Sequence, residues 1–261
     1  MNYMYGGFSK VGFGREINED FVHVVELGEK VLLAVVTDGA GSRPSELQPA
    51  QIAARNITDF FKRVSETHKD DSFILDNGTL LLNEAVRSAN SILGAFRTAN
   101  EEVYSGFSCA CTCLLLGTDS QGVDRMSYAH IGNTRLYLIR RNNEGNASIR
   151  QLTTDQTAAQ KLLEDKQITE DQYYYIPERN QLLCPLGMFS SPQIDLFSGK
   201  IKKEGFFLLT TDGIHYAIRP EGLATIVLEN DNLDNAAEML CNAAEAEKYN
   251  DDYAAILIRC V

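Results

Sequence analysis

Hydrophobic positions change period several times along the chain, and each change marks an element. The run Val31-Leu32-Leu33-Ala34-Val35-Val36 is continuously apolar and rich in β-branched residues, so it predicts a buried strand that stops at Thr37-Asp38-Gly39. Beyond a Gly-containing turn, Ala50, Ala53, Ala54, Ile57, Phe60, Phe61 and Val64 recur at three- and four-residue spacing. That is the stripe of an amphipathic helix. A second stripe follows with Leu82, Ala85, Val86, Ala89, Ile92, Leu93 and Phe96. The period then shortens. Residues 107–116, 125–131 and 134–140 predict short strands, and turns at Gly122 and Gly132-Asn133 suggest a meander of hairpins. Residues from about 154 to 191 are polar and irregular, with helical pieces at 158–163 and near Glu170. Strands resume at 193–201 and 206–210. Leu233, Ala236, Ala237, Leu240, Ala243 and Ala244 then predict a helix over 233–247, and Tyr253 to Ile258 a closing strand.

Strands, two helices, many strands, then helix and strand is not the regular alternation of a parallel sheet. It predicts an α+β fold. Two antiparallel sheets faced by two helix pairs, a four-layer α/β/β/α sandwich, would bury these stripes. No Pro/Gly/Ser-rich linker divides the 261 residues, so one domain over 1–261 is expected.

Charge and composition narrow the function. Lys and Arg number 24 against 36 Asp and Glu, a formal charge of −12. This argues against nucleic acid and against an anionic membrane surface as partners. No apolar run approaches the roughly 20 residues of a membrane helix, and the N-terminus carries no secretory pattern. Cys109, Cys111 and Cys113 alternate within an apolar run, which favours a buried strand face of small thiols. Their spacing suits neither a disulfide nor a zinc site. A reducing cytoplasm is the expected compartment.

Most of the acids keep the protein soluble, but a few sit where chemistry could use them. Val35-Val36-Thr37-Asp38-Gly39 and Leu209-Thr210-Thr211-Asp212-Gly213 echo each other, an apolar strand ending in Thr, Asp and Gly. Asp251-Asp252 precedes the last strand, and Asn18-Glu19-Asp20 precedes the one beginning at Phe21. Each alone is equally a turn, since Asp-Gly is a common turn dipeptide. Brought into one cleft, they would repel until a cation joined them. Oxygen-only ligands suit Mg²⁺ or Mn²⁺, and an Asp bridging two such ions is the arrangement of phosphoester hydrolysis. Competing motifs are missing. There is no Gly-Lys-Ser/Thr phosphate loop and no Gly-x-Ser-x-Gly elbow, and Gly12-Phe13-Gly14 lacks its third glycine. His23, His68, His130 and His215 show no metal-ligand spacing; only His215, next to Asp212-Gly213, stands close to the acids.

These motifs resemble, in order and over nearly the whole chain, the metal-dependent Ser/Thr protein phosphatases of type 2C, the PPM family, in compact bacterial form. Gly14-Arg15-Glu16-Ile17-Asn18-Glu19-Asp20 is similar to the family's opening motif, and Thr37-Asp38-Gly39-Ala40-Gly41 to its Asp-Gly-x-Gly element. Residues 106–110 stand at its Gly/Thr-rich strand start. Gly132-Asn133-Thr134-Arg135 resembles Gly-Asp-Ser-Arg, and Leu152-Thr153-Thr154-Asp155 the Leu-Thr-x-Asp before a flap, about 154–191. Leu186-Gly187, Thr211-Asp212-Gly213 and Asp251-Asp252 complete the series.

The resemblance implies a role for each matched residue. Asp38 would bridge two Mn²⁺ or Mg²⁺ ions, the Gly39 carbonyl would bind one, and Asp212 and Asp251 would hold the second. Glu19 and Asp20 would act through metal-bound waters, and Arg15 would clamp the substrate phosphate. The implied reaction is attack of a metal-activated water on phosphoserine or phosphothreonine of a protein, without a covalent intermediate. The implied partner is a protein substrate of a cognate Ser/Thr kinase. Asn133 stands where the family usually has a third-metal Asp, so a third site would be weak. Histidines usual near Asp38 and after Asp155 are absent, and the general acid is left to His215 or a metal-bound water. Arg43 is either a solvated loop cation or a second contact to an acidic phosphopeptide. The departures keep a rival open, a pseudophosphatase that binds metal as a signalling or scaffold domain with little turnover. A hydrolase of small phosphoesters on the same fold is a third option.

Overall fold

A computed structural model describes residues 2–261 apart from 42–47, 69, 100, 143 and 202–204. Arg43, singled out above, lies outside the described residues. The chain opens with β1 (Tyr3–Lys10), β2 (Asp20–Glu26) and β3 (Leu32–Ala40). Then come α1 (Pro49–Thr67), α2 (Ser72–Asp76), α3 (Gly78–Ala99) and α4 (Glu101–Tyr104). The strands β4 (Ser108–Thr118), β5 (Asp124–Ile131), β6 (Arg135–Arg141) and β7 (Ala147–Gln151) follow. A polar stretch holds α5 (Ala158–Glu164), α6 (Glu170–Tyr173) and a 3-10 turn, Pro177–Asn180. The last part comprises β8 (Asp195–Lys200), β9 (Phe206–Thr210), α7 (Asp212–His215), α8 (Pro220–Leu228), α9 (Leu233–Ala246) and β10 (Tyr253–Cys260).

The strands form two antiparallel five-stranded sheets, in the orders β1-β10-β9-β6-β7 and β2-β3-β4-β5-β8. One face of the second sheet packs under α1 and α3. One face of the first packs under α8 and α9. The remaining faces meet in a core between the sheets. This is the expected four-layer α/β/β/α arrangement.

The layering explains why the central strands read as continuous apolar runs. Leu33 and Val35 of β3 point to the helices, while Leu32, Ala34 and Val36 point to the other sheet. In β10, Tyr253, Ala255 and Leu257 face the helices, and Ala254, Ile256 and Ile258 face the other sheet. A strand buried on both faces has no polar positions to alternate with. Cys109, Cys111 and Cys113 lie on the helix-facing side of β4, and all six cysteines are buried and free. The sulfurs of Cys111 and Cys113 approach to 3.5 Å, closer than strand spacing alone predicts.

The pattern misleads in three places. Gly132-Asn133 is not a hairpin turn. β5 belongs to one sheet and β6 to the other, so these residues carry the chain across the sandwich. The helix α8 was not expected, because its apolar residues are too dense in Gly-Leu-Ala-Thr-Ile-Val-Leu for a period to show; Pro220 at its first turn was the available signal. The edge strand β7 was also not expected, since none of its residues is buried and no alternation results.

The crossover needs its glycine. Gly132 has φ +95°, and a Cβ there would lie 2.5 Å from the Ala110 Cβ. Gly132→Ala should lower unfolding stability by about 1–3 kcal/mol through backbone strain alone, more with the clash. In denaturant titration, adding Ala110→Gly should recover only the clash part. Full recovery would show that the left-handed backbone carries no cost.

Candidate active site

The strands bring their functional residues to one rim. β2 begins there at Asp20, β3 ends there, β10 begins there, and β5 and β6 meet there through Gly132-Asn133. Register pairs Asp20 directly with Asp38, and Asp38 with Ala110 on its other side. Asp38 therefore lies within β3, not past its end, and the cross-strand pairing fixes its height. Asp212 opens α7 straight after β9, and Asp251 lies just before β10.

Hydrogen bonds tie the two sheets together across this rim. The Thr211 hydroxyl donates to Asp20 Oδ2 at 2.5 Å. The Asn133 amide donates to Asp212 Oδ2 at 2.9 Å, and its own Oδ1 is buried with no hydrogen-bond partner among the described residues. Asp212 also lies close enough to Asp38 and Asp251 for the three carboxyls to influence one another's proton affinity. Asp252, nearly inaccessible, accepts from the backbone N–H groups of Gly12 (2.7 Å) and Glu19 (2.8 Å). Gly213 permits this packing, since a Cβ there would lie 1.9 Å from the Asp252 carbonyl oxygen.

Arg15 reaches the same cluster but faces acids. It donates to Asp251 and to Glu19 Oε2 (2.8 Å), and its Nε lies 3.3 Å from Asp252. Among the sequence-predicted residues, Arg15, Glu19, Asp20, Asp38, Asp212, Asp251 and Asn133 thus share one network. Gly39 joins it through its N–H, which donates to the Glu19 carbonyl at 3.0 Å.

Burial of so many acids has a cost that shows in their proton affinities. Asp38 is pushed well up by burial and by Asp212, Asp20 and Asp251. Asp20 is raised by burial, against the pull of the Thr211 hydroxyl. Asp251 is raised to about 8 by burial and Asp212, against the pull of Arg15. Asp212 is raised by burial but held back by the hydrogen bonds it accepts. No group of three or more His, Cys, Asp or Glu side chains among the described residues stands as a ready cage for an ion. The carboxylates are instead turned onto each other, onto Arg15 and onto Asn133. The donor set nonetheless fits a divalent cation. It is all oxygen, it is short of positive charge, and it includes an orphaned buried amide oxygen.

The histidines take structural parts. His215 is buried with Nδ1 2.9 Å from the Thr210 hydroxyl. Burial, with Arg135 and Arg179, lowers its pKa well below the usual range. A ring that stays neutral is not a proton donor to a leaving alcohol. His130 sits in the inter-sheet space with Nε2 3.0 Å from the Thr154 carbonyl. A carbonyl only accepts, so Nε2 carries the proton and Nδ1, 2.9 Å from the Thr112 hydroxyl, is the acceptor.

A second polar network went unread in the sequence. Arg135, buried, forks onto Asp155, with Nε to Oδ1 at 2.8 Å and Nη2 to Oδ2 at 2.7 Å. The Tyr173 hydroxyl of α6 donates to the same carboxylate at 2.5 Å. Arg179, in the 3-10 turn, lies over the rings of Tyr216 (4.6 Å) and Tyr249 (5.1 Å). The irregular segment is thereby fastened beside Asp212 and Asp251. Arg135 and Asp155 lay within recognised motifs, but no local pattern shows that residues so far apart meet.

The profile of the family described as Protein phosphatase 2C matches residues 14–257. Among curated proteins, the serine/threonine phosphatase Stp of Listeria innocua is 22% identical over 244 residues, covering 94% of this chain and 90% of that protein. Among solved structures, the serine/threonine phosphatase Stp1 of Staphylococcus aureus superposes with a TM-score of 0.81 at 21% identity, covering 99% of this chain and 95% of that one. The catalytic domain of the serine/threonine phosphatase PstP, solved with two manganese ions, gives a TM-score of 0.76 at 21% identity, covering 98% and 97%. The fold, the rim of acids and the match along the chain have one meaning: this protein belongs to the protein phosphatase 2C family. Its class is phosphoprotein phosphatase.

Two predictions follow from the networks. A carboxyl whose pKa rises on folding keeps its proton when the unfolded chain has already lost one. The stability this gives is complete below about pH 4 and drains away as pH climbs. For Asp251 the loss runs up to about pH 8. Chelator-treated protein should therefore melt lower at pH 8.5 than at pH 5.5 in calorimetry, and Asp251→Asn should shrink the gap. Equal melting at both values would contradict the charge crowding. Separately, Asp155→Ala should cost about 3–5 kcal/mol, because it strands the buried Arg135. A loss under about 1 kcal/mol, the level of an exposed pair, would contradict that burial.

Proposed function

We propose that the chain is a Mn²⁺- or Mg²⁺-dependent phosphatase that hydrolyses phosphoserine and phosphothreonine in proteins. The observation that carries this is the meeting of Asp38, Asp212 and Asp251 at one rim, short of positive charge. Family membership supports it, as does the PstP structure with two manganese ions. Asp38, the Gly39 carbonyl, Asp212 and Asp251 would hold two divalent ions, with Glu19 and Asp20 behind them through water. Bound there, the ions would supply an activated water and neutralise charge on the phosphate.

The chain's own groups do the rest. Thr211 holds Asp20 in place, and the Gly12 and Glu19 amides hold Asp252. Arg15 balances Asp251 and Glu19, and once these serve cations its fork is free to take phosphate oxygens. Asn133 offers a neutral oxygen, so a third ion at that position binds weakly. We place the protein in a reducing cytoplasm, as one domain over 1–261 with a flap at about 154–191, acting on substrates of a Ser/Thr kinase. Its six free, buried cysteines support that compartment. Among the described residues no helix is long and apolar enough to cross a membrane. The scaffold reading has less support, because every primary acid reaches the rim.

Hydrolysis of p-nitrophenyl phosphate and of phosphopeptides tests this. Turnover should require Mn²⁺, vanish with chelator, and fall in Asp212→Asn by more than the roughly 10–100-fold typical of outer partners. Metal-independent turnover, or an unaffected variant, would sink the two-metal reading. Asn133→Asp should tighten Mn²⁺ binding in calorimetry; unchanged affinity would remove this position from the metal site.

A further inference from the structure

The open mouth of the sandwich, between its two edge strands β7 and β8, holds a cleft of about 460 Å³ far from the acids. Met126, at its floor, lies roughly 17 Å down β5 from the rim residue Ile131 by strand rise. Met126 and Phe207 form a buried apolar floor, continuous with the core between the sheets. Tyr128 and Phe197 stack beside it, ring centroids 5.3 Å apart, and Phe197 is 45% exposed.

The charge at this mouth is opposite to that of the rest of the protein. Among the described residues, Arg140, Arg150 and Lys200 line the cleft and no Asp or Glu does, on a chain of net charge −12. Arg140 Nε is buried with no hydrogen-bond partner among the described residues. The nearby Asp195, at the other end of β8, is engaged by the Gln156 amide at 3.1 Å. Arg140 is half-buried, while Arg150 and Lys200 are exposed, so the lining presents one partly desolvated and two hydrated cations to which an external anion is complementary.

Edge strands add a second constraint. Among the described residues β8 pairs only with β5, and β7 only with β6, so each presents backbone groups on its outer side that suit an extended chain. An apolar floor, a cationic lining and a strand edge together fit an extended acidic peptide with one apolar anchor.

We propose that this mouth is a docking groove for an acidic, extended segment of a protein substrate, remote from the phosphorylated residue. An anchor side chain enters over Met126 and Phe207 beside the Tyr128–Phe197 stack. Flanking Asp or Glu residues meet Arg140, Arg150 and Lys200. Only its use in substrate capture rests on the phosphatase reading; the binding itself does not.

The probe is a fluorescein-labelled peptide of Asp and Glu around a central Phe, with no phosphate. Anisotropy should show saturable binding that weakens with salt, and Arg150→Glu with Lys200→Glu should weaken it at least tenfold. The same double variant should keep wild-type melting and wild-type turnover of p-nitrophenyl phosphate. It should raise KM, with kcat little changed, for a phosphoserine peptide that carries the acidic segment. A wild-type protein that does not bind the probe, or a double variant that binds it equally, would overturn the proposal. So would a Lys-rich peptide, or an oligo(dT), that binds as tightly. Loss of p-nitrophenyl phosphate turnover in the wild type would strike the phosphatase reading alone.

Discussion

Mutual repulsion among crowded, buried and half-buried carboxylates is the constraint around which the rest of this structure is arranged. Asp20, Asp38, Asp212 and Asp251 come from separate segments and are set close together, Asp20 and Asp212 buried and Asp38 and Asp251 half-buried. In water such a cluster would fly apart. Here the strands hold it, and the tension is eased by Arg15, by the Thr211 hydroxyl and by the Asn133 amide. Each of these groups does locally what a divalent cation does more completely, because several kcal/mol of desolvation per ion must be offset.

The four layers supply the rigidity this requires. Strands buried on both faces cannot shift register without moving apolar residues out of a core. The pairing of Asp20 with Asp38 is therefore fixed by the packing of Leu32, Ala34 and Val36 between the sheets and of Leu33 and Val35 under the helices. The acids are positioned by hydrophobic residues that never touch them. The same two-sheet design leaves an open mouth at the other side, where cations gather. The molecule so separates its charges, acids at one rim and the cations Arg140, Arg150 and Lys200 along an edge.

The irregular stretch before β8 is tied to the site by polar groups and by a small apolar cluster of Ala159, Tyr173 and Tyr216. Arg135 and Asp155 hold its start, and Tyr173 closes on the same carboxylate. Arg179 lies between Tyr216, which follows α7, and Tyr249, which precedes Asp251. Movement of this segment would be felt directly by the residues carrying Asp212 and Asp251. Charge-assisted and cation–π contacts are directional, which suits a surface segment that must sit in one place without a large core of its own.

The order of elements, the helix stripes and the main strands were legible in the sequence, because helices and doubly buried strands stamp their periods on it. Asp38, Asp212, Asp251, Glu19 and Asp20 were legible too, as acids set beside glycines or strand starts in a recognised order. The crossover at Gly132-Asn133 was not, since a turn within one sheet and a step between two look alike locally. The edge strand β7 and the short apolar α8 left no usable period. The meeting of Arg135 with Asp155 and Tyr173, the turning of Arg15 onto acids, and the cationic mouth were decided by tertiary structure alone. The sequence determines which residues carry charge and which prefer burial. Which charges become neighbours depends on contacts between distant segments, and those are set only when the sheets close on one another.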